Sequence, residues 1–256
     1  MHRSPVRRVW LLLPVMAMVA LAACSTGHSD GPSVPTAGTV AQRTVPDAVA
    51  QLAFQDDQGK PVTLSSLRGK TVVLTDFLSL CQEVCPLTSA NLGLVRQAVD
   101  RAGRQGDIEL VEVTVDPSRD TPARLAAYSK LLGASGNWKL LTGTAGNVAA
   151  LWKWFGVAYE RQPEPSPPAI DWWTGMPLTY DVGHSDVLFV LDQQGVERYL
   201  ITGSPNAAAV PLPAALASFL NAEGRSNRAS PEAGGWTATD VEAVLSWLTG
   251  ARLSPS

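Results

Sequence analysis

Soft, metal-friendly side chains are scarce in this chain: 256 residues hold three cysteines, three histidines and four methionines. So few cysteines exclude a disulfide-dense scaffold and confine thiol chemistry to very few places. An excess of basic residues is also missing, since 20 Lys and Arg face 23 Asp and Glu. That balance excludes an electrostatic nucleic-acid surface. Long apolar runs are absent too, apart from one near the start, between Val9 and Ala23, broken only by Pro14.

That run follows Arg3, Arg7 and Arg8, and a charged start before a short apolar stretch reads as an export signal. About fifteen apolar residues are short for a membrane span, which disfavours the rival reading of an uncleaved anchor. Leu21-Ala22-Ala23-Cys24 at its end resembles the lipobox of bacterial lipoproteins, a resemblance that implies lipidation of Cys24 and a mature chain starting there. Residues 1–23 are therefore expected to be removed, leaving 17 basic against 23 acidic residues, a net charge of −6. Residues 24–46 are rich in Ser, Thr, Gly, Pro and Ala and are expected to form a flexible tether that carries His28. Residues 47–256 are expected to fold as one domain, with 204–235 an insertion before the last helix.

Once Cys24 is set aside, Cys81 and Cys85 are the only thiols, and Pro86 follows at once. The sequence places them after a buried strand, Thr71 to Phe77, and at the start of a helix to Arg101, which Pro86 can open because a first-turn N–H would be unpaired anyway. A helix N-terminus favours thiolate over thiol, which improves both nucleophile and metal ligand. Further strands are predicted at Ile108–Val115, Trp138–Leu141, Val187–Leu191 and Val196–Ile201, and further helices after Pro122, over Asn147–Phe155 and over Thr237–Leu248. A small hairpin over Leu52–Leu64 precedes them. This alternation describes an α/β fold, a mixed sheet covered on both faces in a thioredoxin-like order. His184 is the one histidine outside signal and tether. As a lone residue before a strand, it reads either as a partly exposed strand-start side chain or as a third ligand.

Three segments resemble the Sco/SenC family of copper-binding, thioredoxin-like, membrane-anchored proteins. Cys81-Gln82-Glu83-Val84-Cys85-Pro86 matches its C-x-x-x-C-P motif, Val115 to Pro122 matches V-D-P-x-R-D-T-P, and His184-Ser185 before an apolar strand matches its ligand histidine. The resemblance implies that Cys81, Cys85 and His184 bind copper as Cu(I) and Cu(II). It further implies a chaperone role at the binuclear copper site of cytochrome c oxidase, with that oxidase's copper-bearing subunit as partner. A copper-loading chaperone or a thioredoxin-like reductant would act upstream. The expected location is the outer face of the bacterial cytoplasmic membrane, held by the lipid anchor. The sequence departs from the family pattern at Leu78-Ser79-Leu80 before the first cysteine and at Gly183 before the histidine. The rival reading is an enzyme, a thiol-disulfide oxidoreductase with Cys81 and Cys85 as its dithiol. Against it, such enzymes use C-x-x-C and a cis-proline where this chain has Gly183-His184. Glu83 is expected to face solvent, Asp116 to Pro122 to serve as strand end and helix cap, and Trp172 and Trp173 to pack under their own loop, with Met176 a candidate soft ligand.

Overall fold

The computed structural model describes residues 1–2 and 32–253. The apolar run, Cys24 and His28 lie outside the described residues. Along the chain come β1 (Thr39–Thr44), α1 (Asp47–Ala50), β2 (Phe54–Asp56), β3 (Pro61–Val62), β4 (Thr71–Phe77) and α2 (Cys85–Arg101). Next are β5 (Ile108–Thr114), α3 (Pro122–Leu132), β6 (Trp138–Gly143), α4 (Ala145–Phe155), β7 (Tyr159–Gln162) and β8 (Asp181–His184). The chain closes with β9 (Val187–Leu191), β10 (Val196–Thr202), α5 (Ala214–Phe219), α6 (Ala222–Ala229) and α7 (Ala238–Thr249).

Eight strands share one mixed sheet in the order β1-β10-β9-β4-β5-β6-β2-β3. β4 lies inside it, parallel to β5 and antiparallel to β9. Every residue of β4 and β5 is buried, as a sheet covered on both faces requires, and β4 reads as a near-continuous apolar run whereas β5 also buries Glu109 and Glu112. Val73, Leu74, Leu110 and Val111 are fully inaccessible, and each contributes about 1.5–3 kcal/mol by leaving water. Parallel neighbours cannot be joined by a tight turn, and α2 supplies the crossover from β4 to β5. That crossover sets the two cysteines at the carboxyl end of β4, where open sheets bind ligands.

The helix boundaries follow the local chemistry. In α2, Pro86 occupies the first turn. Thr121 Oγ1 accepts from Arg124 N at 3.3 Å to cap α3, which ends at Gly133 in the left-handed region, φ 66°. Thr237 and Asp240 form a reciprocal capping box at the start of α7.

The structure corrects one expectation and adds detail to two stretches. The tether does not reach residue 46: β1 pairs antiparallel with β10, Thr39 opposite Leu200 and Thr44 opposite Val196, and the Tyr199 hydroxyl donates to Pro35 O at 2.6 Å. This edge strand is exposed almost throughout, so its sequence carries no alternation to betray it. Before Val187, β7 and β8 form a separate two-stranded sheet with Tyr159 opposite His184. The 204–235 segment carries helices α5 and α6 of its own.

Candidate metal centre

Two carriers bring the candidate ligand side chains together. The first is the turn from Leu78 to Val84, which leaves β4 and runs into α2. Its course is fixed by buried Asp120, whose carboxylate accepts from the Ser79 hydroxyl, from Ser79 N at 3.2 Å and from Thr114 Oγ1 at 2.5 Å. Trp172 adds a second tie, its indole N–H donating to Ser79 O at 2.8 Å. The Asp120 position is thus more than a helix cap, since it fastens the cysteine turn to the end of β5. Trp172 packs on this turn and on Tyr128, not under its own loop, whereas Trp173 is 45% exposed with Arg124 over its ring.

The second carrier is β8, which ends at His184. The ligand atoms of Cys81, Cys85 and His184 all lie within 4.8 Å of one another. His184 Nε2 sits 3.1 Å from Cys85 Sγ, and its Nδ1 is 2.5 Å from Asp76 Oδ2. With Nδ1–H donating to the carboxylate, the Nε2 lone pair is turned toward the two sulfurs, the arrangement by which outer carboxylates orient metal-ligating histidines. Asp76 belongs to β4 and its side chain is fully buried; its other oxygen accepts from Val187 N at 3.3 Å. The sequence reading missed Asp76. The available signal was a lone carboxylate in an otherwise uncharged buried strand, where burial is costly unless the group is paired.

Electrostatics divides the two thiols. A hydrogen bond from the Cys85 thiol, opposed by burial and aided by His184 and by Val84 N, holds Cys81 well below the ordinary thiol range. Burial, followed by the adjacent Cys81 sulfur, pushes Cys85 well up. Burial also works against charging His184, but the bonds to Asp76 and Cys81 overcome it and raise the imidazole well above its ordinary value. Cys81 Sγ further accepts from Val84 N at 3.5 Å and Cys85 N at 3.4 Å, amides at the start of α2.

Two carboxyl groups beside the thiols are shifted toward the neutral acid. Glu83 does not face solvent as expected. It is half-buried, with Oε2 accepting from Gln82 N at 3.0 Å, and burial, then the charges of Cys81 and Asp181, push its pKa up to about 8. Asp186 is raised to about 7, chiefly by burial. Met176 is 65% exposed.

Two thiols and an oriented imidazole are a donor set for soft or borderline ions such as copper or zinc, not for magnesium or calcium. Among the described residues, no helix is long and apolar enough to cross a membrane.

A SCO1 homologue of Bacillus subtilis is 32% identical over 97 residues, 37% of this chain and 49% of that protein. A protein of Stutzerimonas stutzeri, provisionally described as copper-binding, is 28% identical over 99 residues, 37% of this chain and 48% of that protein. The chain thus spans about half the length of the curated relatives it matches. The apo Sco1 structure from Thermus thermophilus superposes with a TM-score of 0.51 at 27% identity, covering 66% of this chain and 89% of that one, and shares its thioredoxin-like fold. The SCO1/SenC family model matches residues 40–212, a span that contains both cysteines, Asp76 and the histidine, and this chain belongs to that family.

Proposed function

We propose that this protein is an exported copper chaperone, anchored to the outer face of the bacterial cytoplasmic membrane by a lipid on Cys24. Copper is its cargo, held by Cys81, Cys85 and His184 and passed to the binuclear copper site of cytochrome c oxidase. The observation that carries the reading is the convergence of those three donors within 4.8 Å, with Asp76 orienting the imidazole. The relative described as copper-binding supports the choice of metal, and the family resemblance supports the oxidase as recipient.

The chain's own residues suit both copper states. Two sulfurs alone can hold Cu(I), and the imidazole supplies the third donor that Cu(II) requires. Binding must displace the proton from the Cys85 thiol, which burial pushes up, and any proton on His184 Nε2, whereas the lowered Cys81 gives up its proton more readily.

A second reading, a thiol-disulfide oxidoreductase, draws on the asymmetry of the pair, one thiol lowered and its neighbour raised. Titration of the reduced, full-length protein with Cu(I) against a chromophoric chelator separates the two. The chaperone reading predicts one tightly bound equivalent. Absence of stoichiometric copper, together with a disulfide that cycles readily with a thioredoxin-type reductant, would replace it with the oxidoreductase.

A further inference from the structure

The family match ends at residue 212, and the chain beyond it folds back onto the ligand turn. Leu220 joins Leu87, Ala90, Ala207 and Val210 in a small apolar cluster of its own, which docks the segment on the first turns of α2. Asn221 then reaches the residues between the two cysteines. Its backbone N–H donates to Gln82 O at 3.2 Å, and its side-chain amide donates to Glu83 Oε1. Its side-chain oxygen meanwhile caps α6, accepting from Gly224 N at 2.9 Å. Gly224 presses on the same peptide: a Cβ there would fall 2.0 Å from Gln82 O and 3.1 Å from Glu83 Cα. No side chain larger than hydrogen fits without moving the ligand turn or the helix.

We propose that Asn221 and Gly224 are positioning residues, a brace that holds the Gln82–Glu83 turn so that Cys81 and Cys85 stay an open dithiol and are hindered from closing into a disulfide. The proposal rests on Cys81 and Cys85 being the working pair, and it does not depend on copper. A disulfide needs its sulfurs at about 2.05 Å. Closure must draw Cys85 Sγ away from its 3.1 Å contact with His184 Nε2 and readjust the intervening turn. That turn is gripped at its Gln82 carbonyl and its Glu83 carboxylate, so the grip opposes closure and stabilises the dithiol.

The test is equilibration of the full chain with glutathione and glutathione disulfide. One protein dithiol and one glutathione disulfide exchange to one Cys81–Cys85 disulfide and two glutathione thiols, the two electrons passing to the oxidant and each leaving glutathione sulfur taking a protein thiol proton. Differential alkylation and peptide mass spectrometry read the pair directly. Asn221→Ser keeps a capping oxygen but is too short to reach Glu83, and Gly224→Ala forces the turn to move. Val210→Ala weakens the docking cluster without touching Gln82 or Glu83. Loss of the hydrogen bond to the Glu83 carboxyl predicts a shift toward disulfide of about fivefold in Asn221→Ser, about 20 mV more negative for a two-electron couple. Gly224→Ala should shift the same way, and Val210→Ala should lower the unfolding temperature with the equilibrium at the wild-type value. An unshifted equilibrium in Asn221→Ser, which needs no change of packing, overturns the proposal even if Gly224→Ala does not fold. An equal shift in Val210→Ala overturns it as well, since that would be general loosening. Either result leaves the copper titration above to stand or fall alone.

Discussion

The two carriers of the site are built differently. Cys81 and Cys85 sit on a turn between a central strand and a long helix, tied by Asp120 and Trp172 on one side and by Asn221 and Gly224 on the other. His184 sits at the end of a two-stranded ribbon outside the main sheet, ninety-nine residues along the chain from Cys85, and reaches the sulfurs because Asp76 of β4 holds its ring. The thiols are therefore placed by a turn tied at several points, and the imidazole by one buried carboxylate. Under the proposed copper function, this difference predicts a division of labour in which the sulfurs fix affinity for Cu(I) and the ribbon determines whether Cu(II) is also held.

Several substitutions sharpen that division. The largest effect belongs to the sulfurs: Cys81→Ser or Cys85→Ser should abolish stoichiometric Cu(I) binding in a chelator competition, because neither remaining pair of donors has two thiolates. Next is the anchor of the loop that leads into β8. Arg124 and Asp171 are both buried and paired through two hydrogen bonds at 2.9 and 2.6 Å. Asp171→Asn should lower stability by about 3 kcal/mol in urea unfolding near neutral pH, since it leaves a buried guanidinium unpaired. Against the cost of burial, the Arg124 bonds hold Asp171 at about 2, below its usual 3.8. A depressed carboxylate gives stability that is present above pH 3.8 and lost as pH falls toward 2. Wild type should therefore lose more stability than Asp171→Asn over that window, and equal losses would contradict the assignment.

Smaller again is Asp76→Asn. It should weaken Cu(II) binding by about ten- to hundredfold with Cu(I) binding much less affected, the usual range for an outer carboxylate behind a ligating histidine. Equal losses for both copper states would place Asp76 in general support of the fold instead. Smallest is Met176→Ala, an exposed position whose change should move either affinity by no more than about 0.5 kcal/mol. A larger loss would make Met176 a ligand.

The sequence was most legible where one physical signal dominated. Thr71 to Phe77 reads as a buried strand because its residues are almost all apolar or β-branched, and its observed bounds are the same. Proline after the second cysteine announces the start of α2, and Gly133 announces the end of α3. Elimination singled out His184 and the family resemblance made it a candidate ligand, since no local pattern marks a residue whose neighbours arrive from distant parts of the chain. Asp76 was hidden inside a strand pattern that tolerates one polar residue. Residues 39–44 looked like linker because an exposed edge strand is held by backbone hydrogen bonds, which leave no imprint on side-chain hydropathy. Asn221 and Gly224 were hidden for a related reason: one is a cap and the other a close approach, and both depend on a turn more than 130 residues earlier.

The most direct test of the three-ligand site is X-ray absorption at the copper edge on the full chain loaded with one equivalent of Cu(II), for wild type and His184→Ala. The account predicts two sulfur scatterers and one histidine nitrogen in wild type, with the imidazole multiple-scattering signal lost in the variant and both sulfurs kept. A wild-type spectrum without histidine scattering, or an unchanged spectrum in His184→Ala, would contradict it.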